Sequence, residues 1–193
     1  MLYMTSFVTE EKKNHEREHA VGEQLLFYAV REEYGLTSLP VIVKGEHGKP
    51  YFSENSGIHF NISHTGNMAV CAVGECELGV DIEQIRSVKE SMKKRVLAPG
   101  EQLWLERQIN QDEAFIRLWT LKESYIKATG KGLRTELAAV EFAIQEDEEG
   151  RILCNQKDYC FYQKKIGHNI YLALCMKGER IPEGMKKLHI VFL

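Results

Sequence analysis

The chain has 193 residues, of which 44% are hydrophobic and 27% charged, a composition ordinary for one globular domain or two small halves sharing a core. Its formal net charge of −3 argues against a general nucleic-acid binder, which carries a basic excess. No apolar run approaches the ~20 residues that span a bilayer, and no basic segment precedes an apolar one at the N-terminus. Its 5 scattered cysteines are an odd number, so we expect a cytoplasmic protein with reduced thiols and no membrane partner.

The first predicted elements are a strand over residues 1–8 and a long helix. Thr9 is a suitable N-cap for this helix, and Gly35 is a suitable stop. Apolar residues recur along it at helical spacing and predict a stripe that packs on a sheet: Val21, Leu25, Tyr28 and Ala29.

Residues 15–19 of that helix read His-Glu-Arg-Glu-His, which fits the pattern H-E-x-x-H of zinc metalloproteases. In such a site, His15 and His19 would bind the zinc ion. The charged residues between Glu16 and His19, and the position near the N-terminus, favour a solvated helix face instead. A zinc protease therefore stands as an alternative function.

Four short strands are predicted next: residues 40–43, 58–62, 68–73 and 78–83. The last three predict a meander over residues 58–83, with His64 in the turn that follows its first strand. Glycine and proline in the polar segment 46–50 predict a loop that exposes Lys49.

The last of these strands is acidic on one face. Side chains of a strand point to opposite faces in turn. Leu78, Val80 and Ile82 therefore share one face, and Asp81 and Glu83 come out together on the other.

Three helices are predicted in the second half. The first spans residues 87–97 behind a capping box at Ser87, the second begins at Pro99, and the third runs from Asp112 to Gly130. Candidate strands close the chain: residues 140–144, 160–164, 170–176 and 189–192. The predicted fold is therefore α+β, a single domain over residues 1–193.

In the third helix Trp119, Glu123 and Lys127 lie four residues apart and share one face. If that face meets the acidic strand, Glu123 joins Asp81 and Glu83, with a lysine beside them. Carboxylate oxygens are the ligands that magnesium prefers, and substrate phosphates commonly complete its shell. The residues thus predict a metal and phosphate site in the cleft between two pseudo-duplicated halves, about 1–85 and 86–193.

Three motifs carry a resemblance to a known family: Asn61-Ile62-Ser63-His64, Gly79-Val80-Asp81-Ile82-Glu83, and Trp119-x-x-Lys122-Glu123-x-x-x-Lys127-x-x-Gly130-x-Gly132-Leu133. In this order they closely resemble the 4′-phosphopantetheinyl transferases of the monomeric, two-halved class. The resemblance implies transfer of the phosphopantetheine group of coenzyme A to a serine of an acyl or peptidyl carrier protein, releasing 3′,5′-ADP.

The resemblance also implies residue roles. Asp81, Glu83 and Glu123 match the ligands of Mg²⁺, or of Mn²⁺ in its place, and Glu123 also matches the base that accepts the serine proton. Lys127 matches the lysine on the coenzyme A phosphates, and Lys49 and His64 match positions holding phosphate or adenosine groups.

In the first helix, Arg17 can be laid on one of two basic residues that hold the 3′-phosphate in the family. The second falls near Glu23, which reverses the charge, so the preference for coenzyme A over its dephospho form is left open. The segment 87–105 corresponds to the region where the carrier docks. Its apolar residues are open to two interpretations, a docking patch or local core: Val96, Leu97, Leu103 and Trp104.

Besides the zinc protease, two further alternatives use the same residues. A metal-dependent phosphohydrolase would cleave coenzyme A without a carrier. A coenzyme A-binding module without catalysis would bind the ligand and leave carriers unmodified.

Overall fold

The computed structural model describes residues 1–7, 15–54, 57–132, 136–144 and 152–193. The elements up to the acidic strand are β1 (Leu2–Ser6), α1 (His15–Tyr34), β2 (Ile42–Lys44), β3 (Pro50–Phe52), β4 (His59–Thr65), β5 (Met68–Gly74) and β6 (Leu78–Gln84). The later elements are α2 (Glu90–Val96), α3 (Pro99–Glu106), α4 (Gln111–Thr129), β7 (Phe142–Ile144), β8 (Ile152–Cys154), β9 (Tyr159–Ile166), β10 (Ile170–Lys177) and β11 (Leu188–Ile190).

The strands form two main sheets and two hairpins. The first sheet has the order β11-β1-β5-β4 and the second the order β6-β10-β9, while β2 pairs with β3 and β7 with β8. The pairs are antiparallel except β1 with β11, which is parallel. The fold is therefore α+β, as predicted.

The two sheets pack face to face between two helices. Leu2 and Val70 of the first sheet share a buried cluster with Val80 and Leu174 of the second. The opposite face of the first sheet packs on α1, and that of the second packs on α4. Because strand side chains alternate, each sheet buries apolar residues on both faces. None of the helices in the described part of the chain is long and apolar enough to cross a membrane.

The predicted meander over residues 58–83 is wrong in its third strand. β4 and β5 pair, but β6 leaves that sheet and pairs with β10 instead, with Asp81 opposite Ala173. The predicted turn after residue 62 is also wrong, because β4 continues to Thr65, which pairs with Met68. Gly66 makes the turn with a φ of 57°.

Side chains replace the missing ladder between β4 and β6. The Val80 N–H donates to Asn61 Oδ1 at 2.9 Å, and the Ile82 N–H donates to Ser63 Oγ at 3.4 Å. The Gln84 N–H donates to Thr65 Oγ1 at 3.2 Å, completing a set of alternate residues on each strand. An unpaired buried N–H is costly, so these side chains satisfy the edge of β6 that faces β4.

The helix starts differ from two predictions. Lys89 precedes α2 without a side-chain cap, so the capping box at Ser87 is wrong. The Asn110 side chain caps α4 by accepting from the Glu113 N–H at 3.1 Å. Asp112 instead accepts from the N–H of Val88 at 3.2 Å. The predicted cap at residue 9 lies outside the described residues.

Candidate functional site

Asp81 lies at the centre of the site. It is 4% exposed, and its Oδ1 accepts from Ser63 Oγ at 2.9 Å and from Lys127 Nζ at 2.7 Å. Lys127 Nζ also donates to Ser63 Oγ at 2.8 Å. The second oxygen, Oδ2, is buried with no hydrogen-bond partner among the described residues. One oxygen of this carboxylate is therefore satisfied, and the other is open to a further cation.

Glu83 lies two residues along the same face of β6. Its Oε1 accepts from the indole N–H of Trp119 at 3.1 Å, and Arg86 lies 3.9 Å from its Oε2. Burial and then the charge of Asp81 raise the pKa of Glu83. Trp119 also stacks on Phe115, with ring centroids 6.1 Å apart, so it orients a carboxylate as well as packing.

Glu123 faces the same space from α4. Burial raises its pKa to about 7, the charges of Asp81 and Glu83 add to the rise, and Lys127 opposes it. The hydrogen bonds of Trp119 to Glu83 and of Lys127 to Asp81 show that the acidic face of β6 and one face of α4 meet. Trp119, Glu123 and Lys127 thus share a face as predicted.

The three carboxylates suit a divalent cation in their chemistry. In the described part of the chain, no three His, Cys, Asp or Glu side chains are already arranged as a ligand set. Asp81 Oδ2 is nevertheless unpartnered, and burial, followed by the charge of the neighbouring carboxylates, raises the pKa values of Glu83 and Glu123. The site therefore combines burial with several negative charges. A cation offsets these charges, and the Lys127 ammonium offsets them in part.

A glycine allows β6 to approach α4 this closely. A Cβ on Gly79 would lie 2.2 Å from Ala128 N and 2.2 Å from Ser124 O. Both contacts are with helix backbone, which cannot rotate away. The glycine of the acidic motif thus sets the distance between the carboxylates of the two elements.

Lys49 does not extend into solvent as the predicted loop implied. Its Nζ donates to the carbonyls of Leu78 at 3.0 Å and Ala128 at 2.6 Å. Burial lowers the pKa of this lysine. It joins the start of β6 to the end of α4, where Gly130 adopts a left-handed φ of 67°. Lys49 and Lys127 both line a cavity of about 270 Å³ there.

His64 lines a second cavity of about 320 Å³ between α1, β2 and β4, here called the α1 cavity. Its Nε2 is buried without a partner among the described residues, and burial lowers its pKa. A Cβ on Gly22 of α1 would lie 3.0 Å from that nitrogen. Arg17 is exposed on α1 and is not among the described residues that line this cavity.

The zinc alternative gains no support from α1. Glu16 and His19 are exposed, and His19 lies 3.5 Å from Glu23 on the same helix. No metal-binding group of three side chains is found in the described ranges, which leave out the His15 side chain.

Lys122, the neighbour of Glu123, points into the core on the other side of α4. It is completely buried and lies 2.7 Å from the completely buried Glu101 of α3. Its Nζ also donates to the carbonyls of Leu137 and Val140. Lys122 therefore joins α4 to α3 and to the chain before β7, away from the carboxylates.

The apolar residues of segment 87–105 divide between the two interpretations. Val96 and Leu97 are each 1% exposed and belong to the core, and Trp104 packs against the same cluster. Leu103 is 58% exposed. Within this segment, which the structure describes throughout, the four residues therefore do not form one exposed patch, and Leu103 lies outside the core.

The fold is α+β, and its site places Asp81 and Glu83 of β6 against Lys127 and Trp119 of α4. The model of the 4′-phosphopantetheinyl transferase superfamily matches residues 77–175. A 4′-phosphopantetheinyl transferase of Bacillus subtilis is 34% identical over 171 residues, which cover 86% of this chain and 76% of that protein. The 4′-phosphopantetheinyl transferase psf-1 of Bacillus pumilus is 33% identical over 177 residues, with 89% and 76% covered.

The chain belongs to the 4′-phosphopantetheinyl transferase superfamily. Among solved structures, the holo-[acyl-carrier-protein] synthase AcpS of Thermotoga maritima is 22% identical and covers 54% of this chain and 64% of that chain, with a TM-score of 0.46.

Proposed function

We propose that the protein transfers the 4′-phosphopantetheine group of coenzyme A to a serine hydroxyl of an acyl or peptidyl carrier protein. The observations that support this proposal are the hydrogen bonds of Lys127 to Asp81 and of Trp119 to Glu83, which join the acidic face of β6 to α4 within a chain of this family. Magnesium, or manganese in its place, would be held by these carboxylates and would stabilise charge on the diphosphate.

In the proposed reaction, the serine oxygen attacks the phosphorus that carries the pantetheine arm. A new O–P bond forms, and the bond from that phosphorus to the bridging oxygen breaks. The bridging oxygen leaves with 3′,5′-ADP. The serine proton passes to a base, and the two products together with this proton contain all atoms of the reactants.

Glu123 is the proposed base. A carboxyl group with a pKa near neutral pH accepts a proton more readily than an ordinary glutamate does. Burial gives Glu123 such a pKa, about 7. Glu123 accepts the proton either directly or through a water molecule. It is also a candidate metal ligand, and Glu123→Gln distinguishes the two roles because it removes the base and keeps a weak oxygen ligand.

The cations have complementary proposed roles. Lys127 contacts the diphosphate from its position between Ser63 and Asp81. Lys49, which lines the smaller cavity, and His64, which lines the α1 cavity, hold phosphate or adenosine groups of coenzyme A. Arg17 remains a candidate for the 3′-phosphate. We further propose that the protein works as a cytoplasmic monomer.

The test is to incubate the protein with magnesium, coenzyme A and an unmodified carrier protein, and to weigh the carrier by mass spectrometry. We expect a gain of one phosphopantetheine group, abolished by Asp81→Ala and by Glu123→Ala. Glu123→Gln keeps a weak oxygen ligand but removes the base, so magnesium binding that survives without transfer assigns the base role.

The control variant is His15→Ala, which removes a histidine of the zinc pattern and should leave transfer unchanged. Peptide cleavage by the wild-type protein that this variant abolishes would favour the zinc alternative. Cleavage of coenzyme A without a carrier would support the phosphohydrolase alternative. Binding of coenzyme A with no mass gain on several unrelated carriers would support the binding module and refute the transferase.

A further inference from the structure

The strand β9 lies at an open edge of the second sheet. It is last in the order β6-β10-β9, so among the described residues it pairs with β10 on one side only. In an antiparallel ladder, every second residue of a strand exchanges hydrogen bonds with a given neighbour, and the residues between them direct their N–H and C=O groups to the other side. The outer edge of β9 therefore presents backbone groups to which a further strand can bind.

A hydrogen bond at the start of β9 identifies the residues on this edge. The Gly178 N–H donates to the Asp158 carbonyl at 2.9 Å, so the even-numbered residues of β9 bond to β10 at the same two-residue repeat. Phe161, Gln163 and Lys165 lie between them and direct their backbone groups away from β10. None of their three N–H groups donates a hydrogen bond to another residue in the described part of the chain.

A groove of about 720 Å³ runs along the same edge and is here called the β9 groove. It is lined by residues 159–163 of β9, 152–154 of β8 and 179–181 after β10, with Lys157 and Lys186 beside them. Side chains of both faces of β9 line it, because odd-numbered residues pack toward α4 and even-numbered ones toward the first sheet. The groove therefore follows the edge of the strand rather than one face of the sheet.

The charged residues that line the β9 groove are mainly basic. Lys157, Arg180 and Lys186 line it together with one carboxylate, Glu179. Lys186 pairs with Glu183 at 2.5 Å, whereas Lys157 and Arg180 have no ion pair among the described residues. The whole chain has a net charge of −3, so this basic groove is a local exception. Opposite charge favours an acidic ligand.

We propose that the β9 groove binds an extended, acidic peptide segment of a partner protein by strand addition. The peptide backbone pairs with Phe161 and Gln163, and its carboxylates lie near Lys157 and Arg180. Its apolar side chains pack on the walls of the groove, where Leu153 is 46% exposed. A second copy of this chain is a poorer ligand, because pairing β9 with its own copy brings two basic grooves together.

This binding is separate from the proposed transfer reaction. The strand β6, which contains Asp81 and Glu83, lies at the opposite edge of the three-stranded sheet from β9. A peptide on β9 therefore leaves the carboxylates of the candidate site accessible. The partner segment would hold the protein to a larger assembly without covering that site.

The test is a fluorescence anisotropy titration of the protein with a labelled eight-residue peptide in which glutamate alternates with valine. A chelator is present, so that no metal ion joins the peptide to the site carboxylates. We expect saturable binding, and binding at least about tenfold weaker when lysine replaces the glutamates. Lys157→Glu and Arg180→Glu should each weaken binding of the acidic peptide by about threefold to tenfold. Lys94→Glu, an equal change of charge at an exposed residue outside the groove, should leave it unchanged.

Methylation of the peptide nitrogens tests strand addition separately from charge. One acidic peptide has N-methyl groups on its glutamates and a second has them on its valines, so each lacks the N–H donors of one edge. Only one edge of an added strand faces β9, so one of these peptides should lose binding and the other should keep it. Equal effects of the two methylation patterns would overturn the proposal.

Two further results would also overturn it. One is the absence of saturable binding by the acidic peptide, or equal binding of the lysine peptide. The other is self-association of the protein that Arg180→Glu alters, in place of peptide binding, which would assign the edge of β9 to a second copy. Circular dichroism shows whether each variant is folded, and the carrier assay scores the transfer reaction independently.

Discussion

The buried pair of Lys122 and Glu101 offers the sharpest test of how α4 is held. Both side chains are completely buried, 2.7 Å apart. The Glu101 carboxylate also accepts from the N–H of Ala98 at 2.8 Å and of Phe142 at 2.9 Å. Burial raises the pKa of Glu101 and lowers that of Lys122, each against the attraction of the other. Burying this ion pair therefore costs free energy, and removing only one of its partners costs more, because the other charge stays buried without a partner.

Lys122→Met keeps the volume of the side chain and leaves a carboxylate without its cation. Removing one partner of a buried pair costs about 3–5 kcal/mol. Two carbonyls, those of Leu137 and Val140, also lose their donor. We therefore expect Lys122→Met to lower the free energy of unfolding by about 4 kcal/mol.

The assay is urea unfolding of the two single variants and of the double variant Lys122→Met, Glu101→Gln. Because each single change strands a buried charge, the double variant should lose at least about 1 kcal/mol less than the sum of the singles. Lys165→Met, which breaks the partly exposed pair of Lys165 with Glu113, is the control and should cost less than about 1 kcal/mol.

Additive effects in this cycle would refute the reasoning. The reasoning would also be refuted if Lys122→Met lowered the free energy of unfolding no more than Lys165→Met does, because Lys122 is completely buried.

Two further predictions concern the site. The pKa of the wild-type Glu123 carboxyl is raised from 4.5 to about 7, so the folded wild-type protein becomes less stable as the pH rises through that window, by at most about 3 kcal/mol. In a chelator, Glu123→Gln should therefore stabilise the protein at pH 8 and change its stability little at pH 5. Unfolding at the two pH values measures this, and an equal difference at both would contradict it. Gly79→Ala should lower the melting temperature and abolish transfer, because its Cβ meets the backbone of Ala128 at 2.2 Å. Full activity with an unchanged melting temperature would show that the two elements separate freely.

Local periodicity made much of the site predictable. The alternation that places Asp81 and Glu83 on one face of β6, and the four-residue spacing of Glu123 and Lys127, depend only on strand and helix geometry. The ligand roles stay predictions, but the contact between the acidic face of β6 and α4 follows from the hydrogen bonds of Lys127 to Asp81 and of Trp119 to Glu83.

The remaining features depend on contacts between segments far apart in the chain. β6 pairs with β10 rather than with its neighbour β5, and no local pattern distinguishes those partners. The inward direction of Lys49 depends on carbonyls at residues 78 and 128, which only the fold brings together. One local signal was present. Asn61, Ser63 and Thr65 alternate with apolar residues or histidine, a period of two that indicates a strand rather than a turn.

β4 separates the α1 cavity from the acidic strand, and each of its faces has a different task. Phe60, Ile62 and His64 belong to the α1 side, while Asn61 and Ser63 hold the amides of β6. Insertion or loss of one residue here would exchange the two sets. It would turn the histidine toward the acidic strand and leave two peptide amides without acceptors. The strand therefore tolerates changes of side chain far better than changes of length.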